Sequence, residues 1–207
     1  MHRLNPTPAA FARYEEIFGA LQFAVFDDAD GDVEEAVNAI CTVIDGADGD
    51  ALRDLGFREI DDSRLHGDWY DAKKDSLLKL GNWRGTQGEF VNPRLRDLDS
   101  LKLSGAAWIP EAGTGGQSAY AFANTPYELR ATPAEVQELF DKVRHIILSQ
   151  IILSQRLPHT IRDWASPDLV KVSPIFKQGM EWWGVFLFTI YVPDWRRHTV
   201  IVGSTTD

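Results

Sequence analysis

The chain has 207 residues, of which 44% are hydrophobic and 25% charged, with a formal net charge of −10 and one cysteine, Cys41. A chain of this size and composition can bury a core of its own, and a single cysteine excludes an internal disulfide and a zinc site built from several cysteines. The N-terminus lacks a signal-peptide pattern, and the longest apolar uncharged run, residues 182–193, is too short to cross a bilayer as a helix. We therefore expect a single domain over residues 1–207, in a cytoplasmic protein that does not span a membrane.

The N-terminal segment has the spacing of an amphipathic helix. Thr7 and Pro8 form a helix start, because threonine caps helices and proline is favoured at the first helical position. Apolar residues then recur at intervals of three and four positions, which predicts one helix with one apolar stripe. The stripe consists of Phe11, Tyr14, Phe18, Leu21 and Val25.

Three further helices are predicted in the first part of the chain. Asp32 and Glu35 stand three positions apart, as in a capping box, and a second apolar stripe follows them as far as Ile44. A short third helix is predicted over residues 51–55, after another aspartate-rich turn. A fourth helix is predicted over residues 68–80.

The middle of the chain has little regular pattern. Glycine and proline interrupt residues 82–104, which we expect to form a loop with short pieces of structure. Residues 106–109 and 119–123 have the composition of two strands, joined by a glycine-rich loop at 111–118. This loop is not expected to bind phosphate, because it lacks a lysine and a strand is predicted to follow it.

A long helix is predicted over residues 132–157. Thr132, Pro133 and Glu135 combine a cap, a proline at the first helical position and the glutamate of a capping box. The sequence Ile-Ile-Leu-Ser-Gln then occurs twice in residues 146–155, which places apolar side chains on different faces of the helix. Because a helix that is apolar most of the way round must be enclosed, we expect its C-terminal half in the core.

The C-terminal part is predicted to be rich in strands. Residues 169–172 are a short candidate strand, and residues 183–192 have the aromatic and β-branched composition of a strand covered on both faces. A turn at 193–195 then leads to a partner strand at 197–202.

The order of these elements predicts an α+β fold. Amphipathic, acidic helices occupy residues 1–81. In the mixed part, residues 82–207, the long buried helix is expected to pack on a mostly antiparallel sheet.

The negative charge is confined to the start of the chain. Residues 1–62 hold 15 acids and 4 arginines, for a net charge of −11, whereas residues 63–207 have a net charge of +1. Because like charges packed together destabilise a compact state, this segment is either a tolerated, solvated helical face or a surface with a use.

We expect the acidic segment to bind a basic protein partner, in a non-catalytic protein such as an inhibitor or a toxin-immunity protein. The candidate partner-binding residues are Asp27, Asp28, Asp30, Asp32, Glu34, Glu35, Asp45, Asp48 and Asp50. The sequence contains no catalytic or cofactor motif, and its aspartate-rich turns do not fit the EF-hand spacing, so no cofactor or metal is expected.

A small enzyme or ligand-binding domain is the alternative, with a pocket between the long helix and the C-terminal sheet. An imidazole near carboxylates can act as a base with its orienting acid or form part of a metal site, although acids also suit a helix start. The candidate polar groups are His66, Asp68, Asp71 and Glu181, next to Trp182 and Trp183.

An aromatic residue, two arginines and a histidine meet at the predicted hairpin turn, at residues 195–198. Such a group can bind an anion or stack on a base, but the acidic chain has no wider basic stripe, so no nucleic-acid binding is expected. The other interpretation is an intramolecular or intersubunit contact with the acidic helices.

Overall fold

A computed structural model of the chain describes residues 1–77, 118–123, 125–148, 157–181 and 184–204. Within these ranges helices pack on both faces of a six-stranded antiparallel sheet, which confirms the α+β class. The predicted loop at 82–104, the predicted strand at 106–109 and the predicted end of the long helix, residues 149–156, lie outside the described residues.

The described residues form eight helices and eight strands, numbered in chain order. The helices are α1 (Ala9–Glu16), α2 (Val33–Val43), α3 (Gly49–Leu55), α4 (Asp62–His66), α5 (Ser118–Ala123), α6 (Pro133–Leu148), α7 (Leu169–Val172) and α8 (Ile175–Glu181). The strands are β1 (His2–Arg3), β2 (Gln22–Asp27), β3 (Arg58–Ile60), β4 (Tyr70–Asp71), β5 (Ser76–Leu77), β6 (Thr160–Asp163), β7 (Val185–Val192) and β8 (Arg197–Ser204). Short 3-10 turns follow α4 and join β7 to β8.

β7 and β8 form the centre of the main sheet. The strand order is β1-β2-β8-β7-β6-β3, and each neighbouring pair is antiparallel. β7 and β8 pair along their whole length, from Val185 opposite Ser204 to Val192 opposite Arg197. The first 60 residues supply both edges of this sheet, through β1 and β3, as well as β2. The N-terminal part is therefore not purely helical, contrary to the prediction.

The sheet separates two hydrophobic cores. On one face, α1, α4, α5 and α6 pack against alternate residues of the central strands, such as Phe188 and Ile201. On the other face, α2, α3, α7 and α8 cover the intervening residues, such as Leu187 and Val200. Because the central strands are buried on both sides, β7 is apolar along almost its whole length.

The first helix is shorter than its predicted apolar stripe. α1 ends at Glu16, and the chain then turns into β2. The break falls at Phe18, whose backbone φ is +68°, and at Gly19, which packs against the ring of Tyr14. Val25, the last residue of the predicted stripe, lies on β2 in the core. The prediction was wrong because β2 is buried on both faces and lacks the alternation that identifies a strand.

Three other predicted elements differ from the structure. The predicted helix over residues 68–80 is replaced, in its described part, by a 3-10 turn and the β4–β5 hairpin. Residues 119–123 belong to helix α5 and residues 169–172 form helix α7, although both were predicted as strands. An apolar run of four to six residues is too short for its period to distinguish a helix from a strand.

Two helix starts that were predicted from capping residues, those of α2 and α6, are confirmed. The prediction for α1 was wrong in its cap, because α1 begins at Ala9, Pro8 is its N-cap and no side chain caps it. The backbone N–H of Glu35 donates to the carboxylate of Asp32 at 2.7 Å, at the start of α2. The N–H of Glu135 donates to the hydroxyl of Thr132 at 3.3 Å, at the start of α6.

In the described part of the chain, no helix combines the length and the apolar character needed to cross a membrane.

Candidate functional site

Residues 27–32, which we name the acidic loop, connect β2 to α2 and are anchored on the β7–β8 hairpin. Ala29 is fully buried, and its N–H donates to the carbonyl of Arg196 at 2.8 Å. The Tyr191 hydroxyl donates to the Ala29 carbonyl at 3.4 Å. The loop backbone is thus fixed to the centre of the sheet.

The arginines of the hairpin form ion pairs with the acidic loop. The guanidinium of Arg197 donates to Asp27 at 2.8 Å, and that of Arg196 lies 2.9 Å from the carboxylate of Asp30. Arg197 also lies over the ring of Trp195, 5.1 Å from its centroid. The intramolecular contact considered for this hairpin is present, but it is made with the loop and not with the helices themselves.

Arg162 on β6 holds the acidic loop from the side of the core. Its guanidinium donates to the carbonyls of Gly31 at 2.7 Å and Asp32 at 3.3 Å. Gly31 has a φ of +81° and lies against the ring of Tyr191, where a Cβ would overlap the ring atoms. Glycine is therefore required at this position by both backbone conformation and space.

Several candidate acids stabilise helix starts. While Asp32 caps α2, the carboxylate of Glu35 accepts from the N–H groups of Asp30 at 2.6 Å and Gly31 at 2.9 Å. Asp48 caps α3 by accepting from the second and third N–H groups after it. These hydrogen bonds fix the carboxylates in place without neutralising their charge.

Arg53 links the two acidic helices. Its guanidinium lies 2.8 Å from Glu34 on α2 and 2.6 Å from Asp50 on α3. The hydrogen bonds from Arg53 hold the pKa of Glu34 below its ordinary value. Between residues 27 and 54 the sequence has ten acids and this one base.

Two exposed acids in this region have no side-chain hydrogen bond or ion pair within the described residues. Asp45 lies between α2 and α3, and Asp54 lies on α3. Asp45 is one of the candidate acids, and Asp54 is not. Each of the other candidates has a hydrogen-bond or ion-pair contact within the described residues, and the carboxylate of Asp28 lies 3.1 Å from the ring of His2. The structure thus gives most of the candidates a structural role.

A small cavity lies between α6 and strands β2 and β8, where the alternative hypothesis placed a pocket. Its volume is about 10 Å³, which is room for one water molecule. The lining is mostly apolar, and its polar members are His66, Ser118 and Arg144. The hydroxyl of Ser118 donates to the carbonyl of Leu65 at 2.6 Å and is therefore already engaged.

The residues predicted for that pocket do not converge in the described part of the chain. His66 is buried and lines the cavity. Asp71 does not line the cavity, and its carboxylate accepts hydrogen bonds from two backbone N–H groups of the β4–β5 turn. The side chains of Asp68 and Glu181, and residues 182–183, lie outside the described structure.

A buried cluster of Tyr70, Asp75 and Arg144 lies beside the cavity and was not predicted from the sequence. The guanidinium of Arg144 donates to Asp75 at 2.6 Å and to the hydroxyl of Tyr70, which itself donates to Asp75. Burial and the hydrogen bond to Asp75 raise the pKa of Tyr70 to about 12. Burial opposes ionisation of Asp75, but the hydrogen bonds from Tyr70 and Arg144 outweigh it and lower its pKa. Arg144 and Asp75 thus form an ion pair within this cluster.

Comparison with known proteins gives no relative from which a function can be carried over. No protein-family model matches the chain, and neither a curated protein nor a solved structure matches it. Among the described side chains, no group of three or more histidines, cysteines or acids is placed to hold a metal ion.

Proposed function

We propose that this chain is a non-catalytic, cytoplasmic binding protein that docks a basic protein partner on its acidic surface. The acidic surface consists of the acidic loop and the exposed carboxylates of α2, α3 and the link between them. The proposal rests on the charge of this surface, ten acids and one arginine between residues 27 and 54. Both helices cover the same face of the sheet, so their charges add to one field.

The fixed positions of the carboxylates support this proposal. Caps and ion pairs hold Asp32, Asp48 and Glu34 in defined geometries, so little side-chain freedom remains to be lost on binding. A preorganised negative surface accelerates association with a positive partner, and salt screens that attraction.

A basic enzyme is the partner class that we propose, with this chain as its inhibitor or immunity protein. Charge complementarity of this kind allows a small acidic protein to capture a basic nuclease or toxin quickly and selectively. The single cysteine, Cys41, is free and fits a reducing compartment such as the cytoplasm.

The alternative, a small enzyme or ligand-binding domain, has less support. Its expected pocket holds about one water molecule, and His66 is its one described candidate residue on the cavity wall. A substrate of ordinary size needs a cleft of several hundred Å³. We therefore retain docking as the proposed function.

Retention of partners on the immobilised protein tests this proposal. The full chain is exposed to a native lysate of its source cells at low and at high salt, and retained proteins are identified. Basic proteins that bind at low salt and are released at high salt support docking through charge. An empty eluate at low salt, or retention that ignores ionic strength, contradicts it.

A further inference from the structure

His198 is a fully buried histidine in the centre of the sheet. It lies on β8, opposite Phe26 of β2 and Tyr191 of β7, and none of its surface is exposed. Neither ring nitrogen has a hydrogen-bond partner among the described residues. Buried polar atoms without a partner are rare in folded proteins, so this position calls for a physical explanation.

Arg162 lies on the same face of the sheet as His198, because Arg162 pairs with Thr189 of β7 and His198 pairs with Tyr191, two residues further along that strand. Burial is the largest cause that lowers the pKa of His198, the positive charge of Arg162 adds to the shift and Asp32 opposes it, and together they place the pKa at about 4. At neutral pH the imidazole is therefore uncharged. A proton on the ring would place two buried cations side by side, which is strongly unfavourable in a low-dielectric interior.

Arg162 also holds the acidic loop from the side of the core, through hydrogen bonds that we name the clamp. Two of its N–H groups donate to the carbonyls of Gly31 and Asp32, whereas the N–H on Nε is buried and has no hydrogen-bond partner among the described residues. The guanidinium stands 5.2 Å from the centroid of the Phe57 ring, which fixes its plane. The clamp on the loop thus depends on a guanidinium that has no counter-carboxylate within hydrogen-bond reach among the described residues.

We propose that His198 makes this clamp acid-sensitive, so that protonation of the buried imidazole displaces Arg162 from the carbonyls of Gly31 and Asp32 and releases the acidic loop. The proton is taken from solvent and stays on the ring. Release exposes the loop carbonyls and separates Asp27 and Asp30 from their fixed positions on the hairpin.

The surroundings of His198 leave the added charge without compensation. Arg162 faces it from β6, Asp32 from the start of α2, and the phenol of Tyr191 from β7, with ring centroids 6.1 Å apart. On β2 the opposite residue is the apolar Phe26. Of these groups Asp32 alone is negative, and its carboxylate is already engaged as the cap of α2.

The neighbouring acid and base on the same strands offset each other. Asp27, next to Phe26 on β2, is bound by Arg197, next to His198 on β8. This pair therefore supplies no free carboxylate for a protonated imidazole.

The direction of the pH effect follows from the lowered pKa. The ordinary pKa of histidine is 6.5, and the pKa of His198 in the closed state is about 4. The closed loop is therefore favoured above pH 6.5, and this preference is lost as the pH falls from 6.5 towards about 4. With those two values for the open and closed states, opening is favoured about twentyfold more at pH 5 than at pH 7.

Hydrogen exchange at the backbone N–H of Ala29 tests the proposal, because this N–H donates a hydrogen bond to the backbone carbonyl of Arg196 only while the loop is closed. After correction for intrinsic rates, its protection is expected to fall about twentyfold from pH 7 to pH 5. Val143, buried on α6 in the other core, serves as the internal reference and is expected to keep its protection. In His198→Leu, which loses no hydrogen bond, protection of Ala29 is expected to be independent of pH.

Three results would overturn the proposal: unchanged protection of Ala29 in the native chain, the same pH response in His198→Leu, or a parallel loss at Val143. If His198→Leu does not fold, the ring of His198 is titrated by NMR in the native chain. A ring pKa far below 6.5 that coincides with loop opening supports the clamp, and one at or above 6.5 contradicts it. No partner is needed, so this result is independent of the docking function.

Discussion

Asp30 and Arg196 form an ion pair of 2.9 Å that joins the acidic loop to the tip of the β7–β8 hairpin. Beside it, Asp27 and Arg197 form a second pair that is less exposed. The chain thus neutralises part of its own acidic segment, and most of the remaining acids lie on α2, on α3, at their N-caps or in the link between them. A partner would meet these helices first.

The two pairs are expected to differ in their contribution to stability. Arg196→Ala removes an exposed pair and is expected to cost less than about 0.5 kcal/mol. Arg197→Ala is expected to cost about 1 kcal/mol, because it removes a half-buried pair and the contact with Trp195. Urea unfolding of the two variants measures the difference, and a larger loss in Arg196→Ala would argue against this geometry.

Gly31→Ala is expected to destabilise the protein by about 2–4 kcal/mol. Part of this loss comes from the positive φ, and the rest from overlap of the new Cβ with the ring of Tyr191. Gly46 is a matched control, since its φ is +68° but no atom lies within 4 Å of a Cβ built there. Gly46→Ala is expected to cost about 1 kcal/mol, and equal losses in the two variants would exclude the contact with Tyr191.

Asp32→Ala and Asp48→Ala are each expected to lower the free energy of unfolding by about 1 kcal/mol, because each removes a helix cap. Asp45→Ala removes the same charge from the same region without removing a cap and is expected to leave stability unchanged. Thermal unfolding monitored by circular dichroism distinguishes them. A loss in Asp45→Ala equal to that in Asp32→Ala would mean that charge, and not capping, determines the effect.

Asp75→Asn is expected to cost about 2 kcal/mol at pH 7, because it leaves the buried guanidinium of Arg144 without its anion. The loss is smaller than for a fully buried pair, since the side chain of Asp75 is 34% exposed. Because the folded-state pKa of Asp75 is lowered, its contribution is present at neutral pH and is lost as the pH falls through that value.

Denaturant unfolding of the native chain and of Asp75→Asn at pH 7 and pH 3 measures this contribution. The two proteins are expected to differ less at pH 3 than at pH 7. The double variant Asp75→Leu with Arg144→Met, which removes both charges, is expected to recover part of the loss. A constant difference at both pH values would show that folding does not lower the pKa of Asp75.

The parts of the fold that could be predicted from the sequence are those that depend on a few neighbouring residues, such as helix caps and turns. Asp32 and Thr132 are capping residues whose effect depends only on the next three residues, and both helix starts are correct. The β7–β8 hairpin was also predicted, because Pro193 and Asp194 interrupt two long β-branched runs. β2 was missed, since burial on both faces removes the alternation on which strand prediction depends.

The candidate site could likewise be predicted only in part. The number and position of the acids follow from the sequence, but their partners come from distant segments and depend on the sheet order. Nothing near Arg162 in the sequence indicates that it binds the carbonyls of Gly31 and Asp32. Likewise, Arg144 lies on a helix whose spacing predicts a buried position, but its partner Asp75 is placed there by the β4–β5 hairpin.

The central claim is that charge on α2 and α3 binds a basic partner, and charge reversal tests it most directly. Asp45→Lys with Asp54→Lys changes the charge of the acidic surface without breaking a described intramolecular contact. Glu15→Lys with Glu128→Lys is the matched control, since it makes the same change in net charge at exposed positions elsewhere.

The measurement is the amount of basic protein that each variant retains from a native lysate at low salt. We expect the Asp45/Asp54 variant to retain at least about tenfold less than the native chain, and the Glu15/Glu128 variant to retain about as much as the native chain. Equal retention by all three proteins, or an equal loss in both variants, would contradict docking on the acidic surface.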